Sequence, residues 1–306
     1  MKYLSCLLLT VFLSCAADRS PSSLFGPNQA GILVVDATLI VDQALPPLFL
    51  RQTIAPNVTY SEEIAAVAGA SVSVTQGTTQ YDFVEDPLTA GRYLPPVIAP
   101  VVLPETSYGL FIRSGSTELQ ANTTTPKRFN IDEVVLLNEE TLQPVSSLRT
   151  YRDTPPDVFG APENQVAYQE HLLEARFERI DVQAYQVGIL SLDPASDFVI
   201  IGDFLDDEDF RDFERETSSP PLEVAEGNLR LPWFAIAFGG RHQLKIYALD
   251  DNWYDFARSS PETQNDGFGG LAGDNFERPI FSIEGGIGLF GSASIDSLGF
   301  FVLPRN

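Results

Sequence analysis

Cysteine is nearly missing from this chain, with Cys6 and Cys15 the only two among 306 residues. Neither has a partner further along, so no internal disulfide can staple the fold. Histidine is as scarce: only His171 and His242 occur, with no His-Glu-x-x-His helix and no Gly-x-Ser-x-Gly elbow around them. The sequence patterns of a zinc protease and of a serine hydrolase are therefore lacking. Lysine stands at Lys2, Lys127 and Lys245 alone, and 19 basic residues face 42 acidic ones. That balance excludes nucleic acid as a partner, because displacing counterions from phosphates takes clustered Lys and Arg, and it would also repel an anionic membrane surface. No apolar run reaches the roughly 20 residues that a membrane-spanning helix needs.

What is present begins with a leader. Lys2 supplies a basic start, Leu7 to Leu13 an apolar run, and the small residue Ser14 stands before Cys15. Leu13-Ser14-Cys15 resembles a bacterial lipoprotein signal, with Phe12 where Leu is commoner. The resemblance implies cleavage before Cys15, a thioether-linked diacylglycerol on its sulfur and an acylated amine. More than one acyl chain makes such anchoring stable, at about 0.8 kcal/mol for each buried CH₂. Lipidation would also account for the one cysteine left once Cys6 departs with the leader. The mature chain then carries a net charge of −24, from 18 basic and 42 acidic residues. Self-repulsion keeps such a surface soluble and salt screens it, which points to a salt-rich habitat.

The chain after the leader divides into three parts. Residues 15–30 are rich in Ser, Pro, Gly and Asn without apolar periodicity, and read as a flexible tether. From Gly31 to residue 125, short β-branched runs are bounded by turn residues: Ile32–Val41, Leu48–Ile54, Ala70–Thr75, Gln80–Val84, Tyr108–Arg113 and Glu118–Ala121. That spacing predicts about seven strands of an antiparallel, immunoglobulin-like sandwich. Thr123-Thr124-Thr125-Pro126 reads as a boundary, small and polar with a proline that breaks pairing. Residues 126–306 read as a second, larger antiparallel β domain, with strands over Ile131–Leu137, Ala175–Leu190, Asp197–Ile201, Leu229–Phe238 and Gln243–Leu249. Short helices are expected at Leu205–Glu214 and, after the acidic pair Asp250-Asp251, at Asn252–Arg258. The fold class is mainly β.

Two resemblances follow. Val67 to Val74, Gly91-Arg92-Tyr93 and Ser107 to Ile112 resemble carboxypeptidase-regulatory-like and related bacterial sandwiches: Gly69-Ala70 opens a strand and Gly91 permits a turn before Tyr93 packs inward. Further on, Tyr247 to Phe256, Asn275 to Pro279 and Ile283 to Gly291 are similar to the end of the Bacteroidota lipoprotein family catalogued as domain of unknown function 4249. Cys15 and Leu33-Val34-Val35 match the other features of that family. Ser282-Ile283-Glu284 stands where many members carry Asn, so no role for that Asn carries over. The resemblance implies an outer-membrane lipoprotein, anchored through lipid at Cys15 and facing the periplasm or the cell surface, acting beside a TonB-dependent transporter. It implies no mechanism.

No catalytic residue, metal ligand or cofactor is assigned from the sequence. The run Asp203 to Glu216 offers carboxylates that calcium would accept, yet it lacks EF-hand spacing and glycine. An amphipathic helix with its acids in water is the preferred reading. Gly267 to Gly273 and Gly285 to Gly288 lack the context of a phosphate loop, and the second reads as a bulge or close strand crossing. His242, after Gly239-Gly240-Arg241, reads as a turn or strand-end residue. The ligand-binding candidates are Trp233, Trp253 and Tyr254, read as a sugar-stacking platform whose bland alternative is core or rim packing. Glycoside hydrolysis needs two carboxylates at about 5 to 9.5 Å, and nothing in the sequence selects a pair. The expectation is a non-enzymatic binding or accessory protein; a surface glycan hydrolase and a structural or adhesive envelope protein are the rivals.

Overall fold

Period-two alternation sets the first strand, β1 (Leu33–Ile40), in which Leu33, Val35, Ala37 and Leu39 point inward while Asp36 faces water. It belongs to a computed structural model that describes residues 30–148, 158–193, 199, 215–231, 233–260 and 279–303. Cys15, the tether to residue 29, the acidic run from 203 to 214 with its expected helix, most of the expected strand at 197–201, and the glycine-rich 267–273 segment lie outside the described residues.

Six more strands follow before residue 125: β2 (Leu48–Gln52), β3 (Ser71–Gln76), β4 (Thr79–Glu85), β5 (Arg92–Leu94), β6 (Ser107–Ser114) and β7 (Thr117–Thr124). The turn spacing predicted this number. A single helical turn, α1 (Glu62–Ala65), sits between β2 and β3 with Ser61 as its N-cap; four residues are too few to display a helical period. In space the order is β1-β2-β5-β4-β3-β6-β7. The layer folds over at β4, so that Val35, Leu50 and Tyr93 on one side share a core with Val74, Ile112 and Leu119 on the other.

The second half supplies β8 (Ile131–Leu137), β9 (Pro144–Leu148), β10 (Gln165–Ala167), β11 (Leu172–Phe177), β12 (Tyr185–Ser191), β13 (Glu216–Ser218), β14 (Asn228–Leu231) and β15 (Gly240–Leu249). The helix α2 (Asp251–Ser259) and strands β16 (Ile283–Glu284) and β17 (Ile287–Leu303) complete it. A four-stranded sheet, β14-β11-β8-β9, packs on β12, β15 and the distal part of β17. Ile131, Leu173 and Leu229 from one sheet share a core with Tyr185, Ile246 and Phe300 from the other. Phe129, Phe177 and Tyr185 meet edge to face or tilted, with ring centroids 4.8 to 5.8 Å apart. Two expected runs differ. Ala175–Leu190 is not one stretch but the end of β11 and most of β12, and Leu229–Phe238 is a strand only to Leu231, after which Trp233–Ala235 form a 3-10 turn.

The fold is mainly β and antiparallel-dominated, with a sandwich at each end and two short α-helices among the described residues. The two parallel pairings, β1 with β17 and β10 with β17, had no counterpart in the sequence reading. β17 is 17 residues long, about 56 Å at 3.3 Å per residue, and serves both halves. Its first part pairs in parallel with β1, from Val34↔Ile287 to Ile40↔Ala293. The rest pairs antiparallel with β15, from Leu249↔Ala293 to Gly240↔Val302. Just before it, β16 pairs with β7 at Ile283↔Ala121 and Glu284↔Gln120. Gly285 and Gly286 thus join the two outer edges of the N-terminal layer.

Candidate functional site

A buried, hydrogen-bonded polar cluster lies where the two halves meet. Asp250 is the N-cap of α2, and its Oδ1 accepts from Trp253 N at 2.9 Å. Its Oδ2 accepts the Thr123 hydroxyl from β7. Thr123 Oγ1 lies 2.8 Å from Ser292 Oγ on β17, and Asp250 N donates to Ser292 O at 2.9 Å. All three side chains are buried. Burial pushes the Asp250 carboxyl above the usual carboxylate range, while hydrogen bonds from Thr123, Trp253 N and Ser292 pull it back. Beside it Asn252 Nδ2 donates to Asn122 O at 2.6 Å and to Phe290 O at 2.9 Å. Both carboxylate oxygens are taken up in joining β7, β17 and α2, and the partners are hydroxyls and amides. This is the chemistry of a clamp.

Sequence reasoning recognised the cap at Asp250-Asp251 and missed what it reaches. Thr123 and Thr125 read as a polar boundary without core residues, yet they are 4% and 2% exposed. Thr125 Oγ1 donates to Leu103 O at 2.7 Å, so these hydroxyls are buried with their hydrogen bonds made.

The glycine-rich segment fits the same junction. Gly285 has φ +79° and Gly288 φ +113°, both in the left-handed half of backbone space. A Cβ on Gly285 would run into the carbonyl oxygen of Glu118 on β7, and one on Gly288 into that of Val35 on β1. Any side chain would push the strands apart, which is the close crossing expected of these residues. Beside the paired β7 and β16 lies a groove of about 420 Å³, lined by Gln120, Ala121, Asn122, Phe281, Ser282, Ile283 and Glu284.

The sequence matches the family described as Domain of unknown function (DUF4249) over residues 22–298. The chain belongs to that family. No curated protein matches this DUF4249 chain. Among solved structures it is similar to one described as "Structural insight into host cell surface retention of a 1.5-MDa bacterial ice-binding adhesin". The identity is 9%, the coverage 90% of this chain and 67% of that one, and the TM-score 0.21, a likeness too slight to carry an argument.

In the DUF4249 chain the three aromatic candidates do not converge. Trp253 and Tyr254 share α2: the Trp253 ring lies 5.9 Å from that of Tyr247, and Tyr254 Oη donates to Glu223 Oε1 at 3.2 Å. Arg258 stands over the Tyr254 ring at 5.2 Å. Trp233 instead packs edge to face with Tyr168 at 5.5 Å and donates from Nε1 to His171 O at 2.5 Å. Tyr168 bonds to Leu303, whereas Trp253 lies against Gly291. Those two positions on β17 are 12 residues apart, about 40 Å along an extended strand.

The histidines and acids are equally scattered. His242 is 1% exposed, with Nδ1 2.9 Å from Gly240 O and its ring stacked on Phe300. Burial lowers its pKa, favouring the neutral ring. Of the acidic run, Glu216 is described, and it meets Lys245 at 3.4 Å. Among the described residues no group of three or more His, Cys, Asp or Glu side chains is placed to hold a metal ion.

Proposed function

We propose that this chain is an outer-membrane lipoprotein of a member of the Bacteroidota, serving as a non-enzymatic binding or accessory protein beside a TonB-dependent transporter. The observation that carries the reading is Cys15, which follows an apolar run and Ser14 in a chain with no later cysteine. Acyl chains at Cys15 would attach the protein without a membrane-crossing helix, and among the described residues no helix is long and apolar enough to cross. In this reading the N-terminal layer is a carboxypeptidase-regulatory-like sandwich that stands the larger C-terminal half off the membrane. The non-enzymatic part is supported by the fate of the reactive groups: Asp250 is spent on a clamp and His242 is buried against Phe300. The groove at Phe281, with the amides of Gln120 and Asn122 and the Glu284 carboxylate around it, offers a polar ligand its contacts.

Two measurements test the reading. Cys15→Ser is expected to release the protein from membranes into soluble fractions, and continued retention overturns the anchor. Native lipoprotein purified from membranes is expected to bring a transporter subunit with it; its absence at stoichiometric level overturns the partnership.

A further inference from the structure

We propose that the end of the N-terminal sandwich at which the chain enters lies against the bilayer, with Val58, Tyr60, Ile64 and Leu88 seated in the lipid interface. This rests on the lipid-anchored reading above and adds an orientation to it. The entry point is fixed by backbone bonds: Gly31 N donates to Thr53 O at 2.8 Å, and Thr53 N to Ile32 O at 2.9 Å. The chain from Thr53 to Ala66 leaves from there and returns at Ala66, which bridges to Arg51. The turn from Asp86 to Gly91 stands beside it, since a Cβ on Gly91 would lie 3.1 Å from that of Ala66. Entry point, 53–66 segment and 86–91 turn therefore form one end of the layer.

That end is decorated with apolar side chains on a strongly acidic protein. Leu88 is 92% exposed, Tyr60 60%, Ile64 51% and Val58 42%. Exposed apolar residues scattered singly need no explanation, whereas a group at one end does. The backbone holds them out by construction. Ser61 caps α1 beneath Ile64, and the Asp86 carboxylate accepts Leu88 N at 2.9 Å while it pairs with Arg92 at 3.3 Å. Tyr60 offers a ring with a polar tip, the amphipathic shape that suits a headgroup boundary.

Covalent reach makes lipid the occupant. Residues 15–30 number 16, and a chain of that length spans at most about 55 Å when fully extended. An anchor at Cys15 keeps the entry end within that distance of the bilayer, at an effective concentration on the order of millimolar, so weak interfacial affinity suffices. Glu62 and Glu63 are exposed at the same end, with Arg51 3.5 Å from Glu62, so zwitterionic lipid is the surface that fits. A second apolar loop provides the contrast. Val97 and Ile98, 104% and 88% exposed, follow the other end of β5, in a loop whose Val101 bridges to Ala44 beyond the end of β1. In the proposed orientation that loop faces away from the lipid.

The test uses the full lipidated protein, whose only mature cysteine is occupied by lipid, so one added thiol is unique. Tyr60→Cys, Leu88→Cys and Ile98→Cys are each labelled with an environment-sensitive nitrobenzoxadiazole dye and reconstituted into phosphatidylcholine vesicles. All three proteins are expected to float with the vesicles. Labels at positions 60 and 88 are expected to shift to the blue, brighten several-fold and be quenched by spin-labelled lipid, while the label at 98 reports water. Flotation with water-like signals at 60 and 88, or a response at 98 in their place, overturns the orientation and leaves the anchor standing. A response at 60 and 88 in native membranes but not in pure lipid assigns this end to a protein partner and likewise overturns it. Failure to float removes the anchor, and the orientation with it.

Discussion

The core around Tyr93 is built from residues 33–121 plus Phe290, whereas the core around Tyr185 is drawn wholly from residues 129–302. The first layer leaves β1 and β7 as open edges until β17 and β16 return from the far end of the chain to cover them. An open edge is a row of unpaired N–H and C=O groups, ready to pair with another chain. The second sandwich takes no strand from the first 126 residues. Neighbourhood in sequence therefore defines the second unit well and the first incompletely, and the glycines of 285–288 are the joint between them.

The largest expected effect comes from separating the two. A fragment of residues 30–126 is expected to show no cooperative unfolding in urea by circular dichroism, and added peptide spanning 281–295 to restore part of the transition. A fragment of residues 127–306 is expected to keep a cooperative transition. If the first fragment unfolds cooperatively with native-like stability alone, the contrast between the halves is wrong.

A point substitution should strike the same joint. Gly288→Val combines a positive φ with a collision against Val35 O, and is expected to cost at least about 3 kcal/mol, read as a lowered urea midpoint. Gly77 also has a positive φ, +58°, but nothing lies within 4 Å of where its Cβ would be. Gly77→Ala should then cost only local strain, about 1 kcal/mol. Equal losses at the two sites would mean that backbone strain, not strand crossing, explains the glycine.

These contrasts also show what was legible in the sequence. Period-two runs such as Leu33–Ile40 and Ile131–Leu137 were readable because one buried face imposes the pattern locally. The identity of the strand beside β1 was not readable, since Val34 and Ile287 are more than 250 residues apart and register leaves no trace in composition. Asp250 was readable as a helix cap because its partner, Trp253 N, is three residues away. Its bond to Thr123, 127 residues distant, was invisible, and a buried threonine looks in sequence like an exposed one. The spread of Trp233 from Trp253 has the same cause: aromatic spacing along the chain says little once β15 intervenes.

A smaller effect compares the two cores through their buried tyrosines. Tyr93 Oη donates to Val67 O at 2.9 Å and accepts from Ala70 N at 3.0 Å, whereas Tyr185 Oη accepts from Ile180 N at 3.0 Å and otherwise bonds to Arg179, an exposed side chain that can turn to water. Tyr93→Phe strands a buried acceptor and a donor together, and is expected to cost about 2 to 3 kcal/mol against about 1 for Tyr185→Phe. A thermal or urea comparison that reverses this order would show that the first core leans less on its polar ties than its geometry indicates.

The smallest effect is pH-dependent and isolates the clamp. Burial raises the Asp250 pKa in the folded state, with hydrogen bonds from Thr123, Trp253 N and Ser292 opposing. A carboxyl whose folded pKa lies above its unfolded value binds protons more tightly when folded. It thus contributes stability that is fully present below the unfolded pKa and is lost as pH rises through the folded one. Asp250→Asn keeps an acceptor for Trp253 N and removes the titration. Wild type should therefore gain on the variant as pH falls from neutral toward the ordinary carboxylate range, by at most about 1.4 kcal/mol per pH unit. Asp42 and Asp193, held low by Arg128 and Arg241, lose their contributions in acid, but in both proteins alike, so the difference between the two unfolding curves cancels them. A difference that stays flat with pH, or that grows in the alkaline direction, would mean the hydrogen bonds outweigh burial at Asp250 and that the clamp holds a charge at no cost.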